Sequence, residues 1–254
     1  ESFQPVPFFI WRLANYVLGK PGQATEVSDG LVFGLRRLLF ATASDELLGI
    51  GEKVNVVRKA ISAVPPDVLA ATAVIHSICR RLGTRSFERI WRPILDDAVL
   101  RARIGWYVGS QCSEFGAGRG MLAGFAGRSG LAILISTGEL DQARRTLELL
   151  ATGAVIREVG MQIYRCDPLQ VSAMALSAAG CGRDASFGTV LYASEQPFSR
   201  IINTEQLRWL SAFTICENIR VGKPGKIDSR HWHALNFTEK EQQQVLLDQA
   251  KKLT

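Results

Sequence analysis

The run GAGRGMLAGFAGRSGLAIL, residues 116–134, sets glycines at 116, 120 and 124 inside a stretch that is otherwise apolar and helix-compatible. On a helix, residues four apart share a face, so these glycines form one stripe of small residues. Each glycine costs up to about 1 kcal/mol relative to alanine in a helix. Close approach of a second helix is the natural compensation. The same run contains GRGMLA (118–123), a loose G-x-G-x-x-A dinucleotide pattern. That chemistry needs a strand before the glycines and a helix after them, so that backbone N–H groups reach a pyrophosphate. Here the preceding segment reads as helix and no strand–helix alternation surrounds it, which favours the packing stripe.

Almost every other segment carries apolar residues at helical spacing. FIWRLANYVLG (9–19) ends at Gly19 with Pro21 beyond it, a helix stop. Residues 30–43 and 54–64 follow, and Asp67 after Pro65-Pro66 is placed to cap a helix over 68–83. A long pattern over 86–112 contains Pro93, which predicts a kink or break near residue 92. Residues 114–137, 138–153 and 154–165 read as helices. Asp167-Pro168 then supplies an N-cap and a first-turn proline for a helix over 169–180. Helices are also predicted over 184–194, 203–222 and 238–253, the last opened by Thr238 and Glu241 at capping-box spacing. Residues 223–236, which hold His231 and His233, read as a loop. The predicted fold class is all-α, a multi-helix bundle.

The chain of 254 residues is 47% hydrophobic and 21% charged, enough apolar surface for a buried core. No apolar run reaches the roughly 18 residues of a membrane helix, and no signal-peptide pattern opens the chain. The five cysteines lack any C-x-x-C pair, which suits buried thiols and a reducing cytoplasm. The formal net charge is +6. Arg80, Arg81, Arg85, Arg89 and Arg92 stand against a single acid, Glu88, within residues 79–92. Such a face could attract nucleotides, nucleic acid or an acidic partner. Without interleaved aromatics or a helix-turn-helix signature, a solvated helix face explains it more simply.

Constellations that would carry catalysis are missing. His76, in the apolar setting VIHSIC, reads as a buried imidazole, although Cys79 one turn on makes a suggestive pair. His231 and His233 lack the further ligands that a zinc site needs. Asp96 and Asp97 are adjacent and diverge by about 100° on a helix, so they do not converge as an acid/base pair. No G-x-x-x-x-G-K-[ST], H-E-x-x-H or G-x-S-x-G occurs. No catalytic residue, metal ligand or cofactor is predicted.

Taken together, residues 86–254 resemble the HDOD domain, a bacterial signalling domain related to the HD phosphohydrolases. FERIWRPILDDAVLRARIGWYVG (87–109) is similar to the helix that carries a W-R-H-S signature, whose His falls on Pro93. MLAGFAGRSGLAIL (121–134) is similar to A-G-L-L-H-D-I-G-K. Its His-Asp pair falls on Gly127 and Arg128, with Gly130 keeping the family glycine. In residues 157–197 the next His falls on Pro168 and a later His pair near Ala193 and Ser194. In residues 207–222 the closing Asp falls near Cys216 or Glu217, and the tail is similar to the short helix that ends such proteins.

The resemblance implies an HD-like shell whose metal ligands are gone, with a vestigial pocket at Pro93, Gly127, Arg128, Asp167, Pro168 and Glu217. Arg128 would then supply the missing positive charge by pairing with Asp167 or Glu217, or else simply reach solvent. The implied organisation is an N-terminal helical subdomain (1–85), an HD-like subdomain (86–222) and a C-terminal loop and helix (223–254). The implied function is a non-enzymatic cytoplasmic signalling or regulatory module that works through protein–protein contacts, with the glycine-lined helices and the tail as its surface. A sensor of an anionic nucleotide such as a cyclic dinucleotide is the alternative, and a residual metal-dependent phosphohydrolase the third reading.

Overall fold

The computed structural model describes residues 6–19, 35–83 and 88–253. The described residues form thirteen α-helices and two short 3-10 turns, without a strand. The helices are α1 (Phe8–Val17), α2 (Arg36–Ser44), α3 (Val57–Ala63), α4 (Pro66–Leu82), α5 (Glu88–Ser110), α6 (Ala117–Thr137) and α7 (Leu140–Ala151). They continue with α8 (Ile156–Tyr164), α9 (Pro168–Ala178), α10 (Arg183–Leu191), α11 (Thr204–Arg220), α12 (Ser229–Ala234) and α13 (Lys240–Leu253). The all-helical expectation holds.

Helix α6 is the axis of the molecule. It is buried on nearly every side and packs against α4, α5, α9 and α11. A helix with only one apolar face could not occupy such a position. Its small residues make the position possible. A β-carbon on Gly120 would fall inside the Gly105 carbonyl of α5, and one on Gly124 inside the Arg101 carbonyl. On the α4 side, one on Gly118 would meet the Asp67 carbonyl. The glycine stripe is therefore a set of backbone-to-backbone contacts. GRGMLA lies inside this helix with no strand before it, its Gly118 N–H is taken by the Asp67 carboxylate, and its glycines are packed against neighbouring backbone, so it does not form a phosphate loop. The glycine stripe of α6 is consequently buried against its neighbours. By length and composition α6 could also cross a membrane, a correction to the sequence reading, yet 78% of its apolar window is buried inside the protein.

Several local expectations change. Helix α5 runs through Pro93 without a break. Asp67 does not cap its own helix, which starts at Pro66 after Pro65. Its carboxylate instead accepts the Gly118 N–H at 2.8 Å, capping α6 from a neighbouring helix. At the tail the capping contact falls one residue later than predicted, with Gln242 accepting from the Glu239 N–H. The presumed loop 223–236 contains a 3-10 turn and α12. By contrast, Asp167 caps α9 as its position before Pro168 predicts, accepting the Leu169 N–H at 2.9 Å.

His231 is buried in α12, its Nδ1 3.1 Å from the Ser211 hydroxyl and its ring against Phe198. Burial pushes its pKa down to about 4. The folded state therefore holds a neutral imidazole where an unfolded chain would be protonated. Stability should fall as pH drops from about 6.5 to about 4, by at most roughly 1.4 kcal/mol per pH unit. Urea melts across that range check this, and His231→Gln should flatten the slope.

Candidate functional site

Five charged side chains from α5, α6 and α11 meet beside the middle of the bundle. Asp97 and Arg101 stand one turn apart on α5, and the Arg101 Nε lies 2.9 Å from the Asp97 Oδ2. Arg101 is 1% exposed and reaches across to Glu217 of α11 at 2.6 Å. Arg128 of α6 lies 3.0 Å from the same Asp97 oxygen and 3.3 Å from the Glu217 Oε1. Arg220, one turn beyond Glu217, donates to the other Asp97 oxygen at 2.7 Å. Helix spacing makes this possible: Asp97 and Arg101 at i, i+4 and Glu217 and Arg220 at i, i+3 each share a face.

Burial raises the cost of charge here, but the guanidiniums of Arg101, Arg128 and Arg220 outweigh it and hold Asp97 below the usual carboxylate range. Arg128 is lowered by burial and then by repulsion from Arg101, opposed by Glu217 and Asp97. Tyr192, at the end of α10, is raised first by burial and then by the Glu217 charge, so its phenol stays neutral.

Gly127 explains how Glu217 fits. A β-carbon there would fall inside the Glu217 carboxylate, and the Arg101 side chain would stand 3.3 Å from it. The acid from α11 occupies the space that a side chain at 127 would fill.

The predicted pocket residues separate into three places. Gly127, Arg128 and Glu217 come together in the cluster. Asp167 is buried but turns to Arg157 at 2.9 Å rather than to Arg128. Pro168 packs its ring on Gly160 and its carbonyl on Gly130. Pro93 lies one turn before Asp97, with its ring exposed. The reading from sequence missed Asp97, Arg101 and Arg220, although the i, i+4 acid–base spacing of Asp97 and Arg101 was a visible signal. In the basic segment, Arg80, Arg81 and Arg92 are exposed, while Arg85 and the Arg89 side chain lie outside the described residues. His76 is exposed, correcting the expectation of a buried imidazole. Burial pushes the Cys79 thiol up to about 11, so the neighbouring pair does not make an activated thiolate.

These residues do not fit a divalent metal. Both carboxylates are committed to guanidiniums, and no group of three His, Cys, Asp or Glu side chains among the described residues could hold an ion.

No protein family and no curated protein matches the chain. Its fold is similar to a solved structure from Shewanella amazonensis SB2B described as a "putative phosphohydrolase". The two align over 99% of this chain and 95% of that one, with a TM-score of 0.56 and 12% sequence identity. The shared feature at this identity is the fold.

Proposed function

We propose that this chain is an HDOD-like regulatory module of the bacterial cytoplasm that does not hydrolyse phosphoesters and acts through contacts with a protein partner. The observation that carries the reading is the ion cluster at Gly127, Arg128 and Glu217. Where the family resemblance sets a His-Asp metal pair, this chain has a glycine filled by a neighbour's carboxylate and an arginine bound to two acids. A guanidinium repels the cation that would activate water.

Surface composition supports the partner role. Met174 of α9 is 71% exposed and Phe187 of α10 52%, with the Arg183 guanidinium 5.7 Å from the Phe187 ring centroid. The two helices are joined through the Ser186 hydroxyl, which donates to the Ala173 carbonyl. Exposed large apolar side chains on adjoining helices are a feature of interaction surfaces.

Hydrolysis and metal binding can be tested together. Phosphomonoester and phosphodiester substrates assayed with Mn²⁺ or Zn²⁺ should show no turnover above buffer, and neither metal should raise the melting midpoint. A ligand at 100 times its Kd would add about 2.7 kcal/mol of stability, so bound metal could not pass unnoticed. Metal-dependent turnover abolished by Asp97→Asn would overturn the reading.

A further inference from the structure

We propose that the arginine cluster between α5, α6 and α11 is a binding site for a small oxyanion of the phosphate class. This goes beyond the partner role and stands whether or not a partner is found.

The argument starts from charge. Three guanidiniums, Arg101, Arg128 and Arg220, face two carboxylates, Asp97 and Glu217, leaving one net positive charge. Excess charge that is largely removed from water is costly unless a counter-charge meets it. Repulsion between Arg101 and Arg128 is already felt by Arg128.

Donor capacity points the same way. Arg220 uses only its Nε, on Asp97, and neither terminal amino group has a hydrogen-bond partner among the described residues. Arg128 spends its NH1 group on the Gly127 carbonyl and Glu217, while its NH2 group has none. The Arg220 side chain is 30% exposed, so the cluster opens to solvent on that side. Tyr192 packs its ring on Phe213 of α11 at a centroid distance of 4.9 Å, and burial and the Glu217 charge keep its phenol protonated. Forked guanidinium donors match the oxygens of phosphate bidentately, which an ammonium does not. The carboxylates have a second effect: they hold Arg101 and Arg128 in place before any anion arrives.

The test uses the full chain, with inorganic phosphate and AMP titrated separately by calorimetry and thermal melting, against chloride at matched ionic strength. Saturable binding of phosphate alone identifies a free oxyanion site, and binding of AMP but not phosphate identifies a nucleotide's phosphate. Either supports the proposal, and the absence of both at millimolar concentration overturns it. Arg220→Met should weaken binding by about tenfold, the loss of a charge-assisted bond. Glu217→Gln should strengthen it severalfold, because the cluster then carries two net positive charges. Unchanged affinity in both variants also overturns the proposal. Because the two changes act in opposite directions on binding, poor folding of one leaves the other decisive.

Discussion

Gly124→Ala is expected to destabilise the fold by about 3 kcal/mol, the upper range for overpacking a filled interior. For a chain of this size that is a fall in melting midpoint of roughly 6–12 °C. The new methyl group would fall inside the Arg101 carbonyl. Neither backbone can retreat cheaply. Gly120 is locked against Gly105 one turn away, and the turn of α5 that would have to shift also positions Arg101 in the ion cluster. Gly225→Ala is the control. It faces open space without a left-handed backbone, so its stability should stay within about 0.5 kcal/mol of the parent. Calorimetry of the two variants side by side decides the matter, and equal midpoints would show that α6 does not depend on contact at Gly124.

The adjacent aspartates should behave in opposite ways. Asp97→Ala removes an acid that serves three guanidiniums and leaves Arg101, Arg128 and Arg220 around Glu217 alone. Breaking a buried ion set from one side costs about 3–5 kcal/mol, because the remaining charges stay desolvated. Asp96→Ala removes one exposed pair with Arg92, with the Asp96 side chain 63% exposed against 22% for Asp97. Such surface pairs contribute less than about 1 kcal/mol. Equilibrium unfolding in urea should therefore separate two substitutions one residue apart by several kcal/mol. Similar midpoints for both would mean that the cluster is solvated and contributes little.

Sequence and structure agree where a local signal decides the outcome. Asp167-Pro168 predicts the start of α9 because cap and proline act within one turn. The glycine spacing on α6 predicts close packing because stripe geometry is a property of a single helix. The errors are non-local. Asp67 caps α6, a helix 51 residues further on. His76 looked buried because its neighbours in sequence are apolar, but the face it occupies on α4 is exposed. Pro93 does not break α5, although local rules place a break there. The ion cluster was half visible. Asp97–Arg101 is a helix-spaced pair, but the partners Glu217 and Arg220 lie more than a hundred residues away. Only tertiary packing brings them together, so the sequence suggested Arg128 with Glu217 through resemblance and gave no reason to add Asp97.

The filling of the Gly127 position by Glu217 bears on how such a site could change over generations. Residue 127 and the acid at 217 compete for one volume, so any side chain introduced at 127 must first evict the carboxylate. Eviction alone would strip Arg101 and Arg128 of a shared partner, and removing those arginines first would strand Asp97 and Glu217. Every single step therefore passes through a less stable protein, although a version with several positions altered together could be sound. The cluster acts as a ratchet: with glycine, arginine and acid fitted to one another, a ring at 127 is more than one mutation away.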